Sequence, residues 1–120
     1  MRSQWLEYGA RASDVGIDVI FGPVLDVGGA PGIESRSFSD DPAVVTAYGR
    51  AVADGLLEAG LLPVFKHFPG HGRATADSHL ELPTTPSIEA LRSSDLLPYL
   101  DLLAEPVSYT HLTLPTTPYV

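Results

Sequence analysis

Residues 61–72 have the sequence Leu-Leu-Pro-Val-Phe-Lys-His-Phe-Pro-Gly-His-Gly, and Asp77-Ser78-His79 follows a few positions later. The apolar run that opens this stretch is typical of a short buried strand. Lys66 is the only lysine of the chain, and three of its four histidines lie in this region. Polar side chains on a glycine-rich loop directly after a buried strand are how α/β enzymes present a functional site. The stretch therefore predicts an α/β fold with a site at the end of this strand.

The surrounding sequence predicts helices and strands in alternation. Helices are expected over 4–14, 41–59 and from about residue 86, and strands over 17–21 and 62–65. Asp41 can cap the second helix, Pro42 suits its first position and Gly60 can end it. Its buried face is expected to hold the apolar residues at helical spacing, which are Val45, Tyr48, Val52, Leu56 and Ala59. The order α-β-α-β-α predicts a parallel sheet with crossover helices.

The polar residues around the motif suggest acid–base chemistry. Asp77 and His79 are two residues apart, so in an extended loop their side chains point to the same side. A carboxylate beside an imidazole fixes its orientation and favours the protonated ring, which suits a general acid that returns as a general base. A solvated loop histidine beside a turn-forming aspartate is the alternative. Pro69 and the glycines exclude a continuous helix, so His67 and His71 cannot form the one-turn pair of helical zinc sites.

These motifs together resemble glycoside hydrolase family 3, in its β-N-acetylglucosaminidase (NagZ-type) branch. That branch carries Lys-His-Phe-Pro-Gly-His-Gly followed by a loop with Asp-Ser-His. The resemblance extends from about Trp5 to Leu103. The segments that carry it are 21–27, 36–38, 41–42, 66–72, 77–79 and 80–83.

The resemblance implies a fold and an activity. The fold is a (β/α)₈ (TIM) barrel, of which residues 1–105 would form a fragment with two or three of the eight βα units. The activity is that of a retaining β-N-acetylhexosaminidase, which releases terminal N-acetylglucosamine from peptidoglycan fragments (muropeptides). In that branch the acid/base would be His79, oriented by Asp77. Sugar hydroxyls would be bound by Arg36, Lys66 and His67, and no cofactor or metal is implied. His71 is expected to brace the loop.

The resemblance also identifies what this stretch lacks. The family nucleophile is an aspartate on a later strand, and nothing after His79 resembles that segment. Asp95 and Asp101 lie in a predicted helical stretch, and neither is assigned this role. A complete barrel needs about 250 residues, whereas the chain has 120. A partial barrel leaves sheet edges and apolar helix faces uncovered. We therefore expect low stability and no activity from this fragment alone.

Residues 106–120 differ in composition from the rest. Residues 107–120 contain no charged side chain and include two prolines. The DNA string TCTTATACACATCTGACGCTGCCGACG, a transposase sequencing adapter, encodes Ser-Tyr-Thr-His-Leu-Thr-Leu-Pro-Thr in one frame, which matches residues 108–116. We therefore interpret 106–120 as a non-native, adapter-derived tail. A natural tail is the alternative, and His111 has no function in either case.

Composition limits the partners. The net charge of −8 offers nucleic acid no basic surface. No apolar run is long enough for a transmembrane helix. The chain has no cysteine, so disulfides and thiolate metal sites are excluded. The sequence does not fix the localisation. The residues around the motif resemble those of actinobacterial relatives, in which the enzyme is often an exported envelope lipoprotein, and this favours an exported protein over a cytoplasmic one. Nothing in the sequence indicates the oligomeric state.

Other functions remain open at this stage. Within the family, a β-glucosidase-like glycosidase or a phosphorylase is possible. A non-catalytic carbohydrate-binding module would keep Arg36, Lys66 and His67 without ever having a nucleophile. A metal-dependent site is a further alternative, and its ligands would be Asp77, His67, His71 and His79.

Overall fold

The computed structural model describes residues 1–104 and, as a short strand, residues 109–110. It is a mixed α/β structure. The helices are α1 (Arg2–Asp14), α2 (Pro42–Glu58), α3 (Ile88–Arg92) and α4 (Leu97–Leu103), with a 3₁₀ turn at Glu34–Arg36. The strands are β1 (Val19–Ile20), β2 (Leu62–Phe65) and β3 (Tyr109–Thr110). None of the helices in this described part has the length and apolar character needed to cross a bilayer.

The strands form one parallel sheet in the order β1-β2-β3. Val19 pairs with Leu62, and α2 connects β1 to β2 as the crossover helix. The parallel arrangement predicted from the sequence is therefore confirmed. Phe65 of β2 pairs with Thr110 on the other side. Strand β3 lies in the segment interpreted as a tail, and the remainder of that segment lies outside the described residues.

Helix α2 forms as its end signals predict. The Asp41 carboxylate accepts the backbone N–H of Ala43 at 2.8 Å, and Pro42 occupies the first turn. Val45, Val52 and Leu56 are each at most 1% exposed. Burying such a side chain stabilises the fold by roughly 1.5–3 kcal/mol. Tyr48, which the spacing places on the same face, is instead 42% exposed and stacks on Phe38. It lies at the border of the buried stripe, where a loop rather than the sheet covers the helix.

Two predicted elements are shorter than expected. The strand predicted over 17–21 is reduced to Val19–Ile20, and the chain rejoins the sheet only at Val24, which bridges to Lys66. Pro23 has no N–H to give to the ladder, so the pairing is interrupted there. The single helix predicted from about residue 86 is two short helices, because the chain turns between Arg92 and Leu97.

The loops after β1 and β2 are in backbone contact. The Gly72 carbonyl accepts the N–H of Ala30 at 2.9 Å. A Cβ on Gly72 would lie 2.2 Å from the carbonyl oxygen of Val27 and 2.6 Å from that of Gly28. Neither oxygen belongs to a side chain that could rotate away. Only glycine therefore allows the two loops to approach this closely.

We expect the substitution Gly72→Ala to destabilise the chain by about 1–3 kcal/mol, because the added methyl group forces the two loops apart. Urea titration followed by the fluorescence of Trp5, the only tryptophan, measures the change. Gly22→Ala is the matched control, since its Cβ would meet nothing closer than 3.8 Å. Equal unfolding midpoints for the two variants would contradict the packing argument.

Candidate active site

The site lies where the chain leaves the carboxyl ends of β1 and β2. The N–H of Leu25 donates to the Lys66 carbonyl at 2.6 Å, and the N–H of Lys66 donates to the Pro23 carbonyl at 3.3 Å. These bonds continue the parallel pairing past the last regular strand residues. They bring the segment that follows β1 beside the Lys-His-Phe-Pro-Gly-His-Gly loop. Ligands of open α/β sheets and barrels bind at this end of the strands.

A fully buried carboxylate, Asp26, organises the loop after β2. Its Oδ2 lies 2.6 Å from Nδ1 of His67. Its Oδ1 accepts the backbone N–H groups of His67 at 3.4 Å and of His71 at 2.6 Å. Asp26 was not predicted as a site residue from the sequence, although one signal was present: it is the only charged residue in the apolar run 23–27. A charge in such a position requires a buried partner.

His71 lies at the inner side of the same loop. Its backbone N–H is held by Asp26, and its Nε2 is buried without a hydrogen-bond partner among the described residues. Burial lowers the pKa of His71, while the carboxylate of Asp26 acts in the opposite direction. The contact to Asp26 is of the loop-bracing kind that the sequence suggested for this residue.

Arg36 and Lys66 line one cavity of about 340 Å³. Arg36 ends the 3₁₀ turn, and its guanidinium donates to the carbonyl of Gly32. Burial, together with the positive charge of Arg36, lowers the pKa of Lys66, and the charge of Asp26 opposes this. The rest of the cavity wall is largely apolar and includes Trp5, Tyr8, Phe21 and Phe38. Two cationic donors therefore meet an aromatic wall, a combination suited to a hydroxyl-rich ligand.

Asp77 and His79 form the pair that the sequence predicts. The Asp77 Oδ1 accepts the backbone N–H of His79 at 2.9 Å and lies 2.7 Å from its Nδ1. These two hydrogen bonds, the backbone one first, lower the pKa of Asp77. The side chain of His79 is 74% exposed, whereas that of Asp77 is 27% exposed. The imidazole is thus oriented by a carboxylate and exposed to solvent, and an oriented imidazole can donate or accept a proton.

A second buried carboxylate, that of Asp95, fixes the segment between the 66–72 loop and the 77–79 loop. Asp95, fully buried, accepts from Nε of Arg73 at 3.0 Å and also from Nη2. Arg73 also donates to the Ala90 carbonyl at 3.0 Å. A Cβ on Gly70 would lie 2.6 Å from the Cβ of Asp95. The sequence predicted a helix at Asp95, but the residue instead sits in the turn between α3 and α4, where it can reach inward.

The candidate ligands for a metal do not converge. Within residues 1–104 no three histidine, aspartate or glutamate side chains come together as a potential metal site. His67 and His79 are each engaged by a different aspartate. The arrangement of His67, His71, His79 and Asp77 considered from the sequence as a metal site is therefore not assembled in the described structure.

Comparison with known proteins places these features in a family. Residues 5–117 match the glycosyl hydrolase family 3 N terminal domain. The chain belongs to glycosyl hydrolase family 3. The resemblance seen in the sequence is thus confirmed.

Two family 3 relatives are informative. The β-hexosaminidase LpqI of Mycobacterium tuberculosis is 48% identical in an alignment of 113 residues that covers 89% of this chain and 29% of that protein. Its solved structure matches with a TM-score of 0.87 at 45% identity, over 96% of this chain and 35% of that one. NagZ of Neisseria gonorrhoeae, solved with N-trifluoroacetyl-D-glucosamine, matches with a TM-score of 0.85 at 33% identity, over 93% and 34% of the two chains. NagZ has also been solved with a zinc ion, and that structure matches at 31% identity with a TM-score of 0.83, over 93% and 34%.

This family 3 chain therefore spans about a third of the length of its relatives.

The lowered pKa of Asp77 gives a test of the Asp77–His79 contact. The backbone N–H of His79 should report the protonation of Asp77 by NMR, with a midpoint below the ordinary value of 3.8. Because the pKa of Asp77 is lower in the folded state, its hydrogen bonds to His79 contribute their full stability above pH 3.8. That contribution is lost as the pH falls through the lowered pKa. Asp77→Asn should abolish this titration. A midpoint at or above 3.8 would show that the hydrogen bonds are absent in solution.

Lys66 offers a test of the cavity. The pH dependence of its acylation, followed on the Lys66 peptide by mass spectrometry, should have a midpoint below 10.5 because burial and Arg36 disfavour the charged amine. Arg36→Gln should raise this midpoint. Arg11→Gln is the control, since exposed Arg11 pairs with Glu7 on α1. If both variants shifted the midpoint equally, proximity of Arg36 to Lys66 would be wrong.

Proposed function

We propose that this chain is the sugar-binding and proton-transfer part of a retaining β-N-acetylhexosaminidase that acts on N-acetylglucosamine-containing peptidoglycan fragments. The observation that carries the proposal is the Asp77–His79 pair, which follows the loop that presents Lys66 and His67. The relatives named β-hexosaminidase, and NagZ with its bound glucosamine derivative, support the substrate class. The finer fold assignment belongs to the same proposal: β1, β2 and their helices would be two or three βα units of a (β/α)₈ barrel.

In this proposal, separate residues would bind the sugar and transfer the proton. Arg36 and Lys66 present N–H donors to the cavity and have no acceptor, so they would hold sugar hydroxyl oxygens. His67 would bind a further hydroxyl through its ring. His79 would protonate the leaving-group oxygen and then, as a base, activate the attacking water. Asp77 would keep the imidazole oriented in both steps.

The retaining mechanism also needs a carboxylate nucleophile. The family resemblance implies that this nucleophile is an aspartate on a later strand. Among residues 1–104 the two fully buried carboxylates, Asp26 and Asp95, instead accept N–H groups of the loop after β2. We therefore propose that the described part of the chain binds the sugar and supplies the acid/base, without supplying the nucleophile.

We expect the 120-residue chain to bind N-acetylglucosamine without cleaving its glycosides. Titration followed by NMR should move the signals of Arg36, Lys66 and His67, and Lys66→Met should weaken binding about two- to tenfold through the loss of one hydrogen bond. Arg11→Gln should bind like the parent chain. No binding at millimolar sugar would contradict the proposal. Tight one-to-one zinc binding in a calorimetric titration, lost in His79→Ala, would favour a metal site instead.

The acid/base role can be tested in a chimaera in which residues 1–105 of this chain replace the matching segment of the Mycobacterium tuberculosis β-hexosaminidase. We expect the chimaera to release N-acetylglucosamine from a chromogenic glycoside. His79→Ala should lower the rate about 10²- to 10⁴-fold, the usual contribution of general acid–base catalysis. Equal rates for parent and variant would exclude His79 as the acid/base. Faster cleavage with phosphate as acceptor would favour a phosphorylase, and preference for a β-glucoside would favour a β-glucosidase-like enzyme.

A further inference from the structure

We propose that Asp26 is a positioning residue that keeps a proton on Nδ1 of His67, so that Nε2 is the ring nitrogen that meets a sugar hydroxyl. The inference rests on the proposed function for the identity of the ligand. The protonation pattern of the ring, however, follows from the contacts alone and can be measured separately.

The contact distances define the proton position. Oδ2 of Asp26 lies 2.6 Å from Nδ1 of His67. The other hydrogen bonds of the Asp26 carboxylate to described residues come from the backbone N–H groups of residues 67 and 71, so the carboxylate serves as acceptor in each. An unprotonated Nδ1 of His67 would point its lone pair at a lone pair of the fully buried Oδ2 of Asp26, and the two would repel. Nδ1 must therefore carry hydrogen, and the hydrogen bond on one ring nitrogen determines the role of the other.

The same carboxylate also fixes where the ring points. It holds the backbone N–H of His67 and the Nδ1 of the same residue, so backbone and ring share one anchor. The side chain of His67 is 20% exposed, so the ring is not fully enclosed. Nε2 is then presented in one orientation. It accepts a hydroxyl proton when the ring is neutral and donates when the ring is charged.

Asp95 provides a matched control. Like Asp26 it is fully buried and is contacted by a segment of the same loop, but its partner is the Arg73 guanidinium rather than an imidazole. Asp26→Asn and Asp95→Asn both replace a buried carboxylate by an isosteric amide. Loss of fold stability is expected from both. A change in the His67 ring is expected from Asp26→Asn alone, because only there does an amide NH₂ group replace the acceptor at Nδ1.

The first measurement is the ¹⁵N NMR tautomer assignment of His67 in the full, unmodified chain at a pH where the ring is neutral. We expect the proton on Nδ1 and an unprotonated Nε2. In Asp26→Asn the proton should move to Nε2, and in Asp95→Asn it should stay on Nδ1. A proton on Nε2 in the unmodified chain, or the mixture typical of an unfolded imidazole, would overturn the proposal even if Asp26→Asn does not fold.

The second measurement links the ring to the ligand. Asp26→Asn should weaken N-acetylglucosamine binding about two- to tenfold, as the loss of one well-placed hydrogen bond does. In a His67→Gln background the same substitution should have no further effect, because the ring through which Asp26 acts is gone. An equal loss in both backgrounds would mean that Asp26 acts only on the fold, and would overturn the positioning role. If the tautomer is as expected but no sugar binds, the proposed function fails while the proton assignment stands.

Discussion

The buried carboxylate of Asp26 is the interaction on which the rest of the site depends. Moving a carboxylate out of water costs several kcal/mol unless hydrogen bonds replace the solvent. Here the replacement comes from three N–H groups, which belong to His67 and His71. The segment after β1, which contains Asp26, and the loop after β2 therefore depend on each other. The loop supplies the donors that allow Asp26 to be buried, and Asp26 holds the loop in the shape that supplies them.

The fold could be predicted from the sequence where local signals and burial agree. Helix α2 begins at its Asp41 cap with Pro42 in the first turn and ends before Gly60, and the apolar run before Lys66 is a strand. Prediction failed where a long-range contact competes with local preference. The stretch after residue 86 has helical composition, yet it breaks because Asp95 turns inward to pair with Arg73. That partner lies 22 positions away, so no local pattern could indicate it.

The site was predictable to the extent that it is contained in one segment. Lys66, His67, Asp77 and His79 lie in consecutive loops, and their types and spacing indicated both the chemistry and the family. Their supports come from elsewhere: Asp26 follows β1, and the glycines at 70 and 72 matter because of what packs against them. A sequence motif names the groups that face a ligand more readily than the groups that hold them, since a supporting residue is defined by distance in space.

The site contains two aspartate–histidine pairs with nearly the same contact and opposite surroundings. Asp26 and His67 approach to 2.6 Å with the carboxylate fully buried, whereas Asp77 and His79 approach to 2.7 Å with the imidazole 74% exposed. Burial removes the competition of water, so the inner pair favours a fixed orientation. Exposure allows exchange of protons with solvent, so the Asp77–His79 pair is suited to gaining and losing a proton. For the proposed glycosidase, the difference in burial rather than in residue type would separate the histidine that holds the sugar from the histidine that transfers the proton.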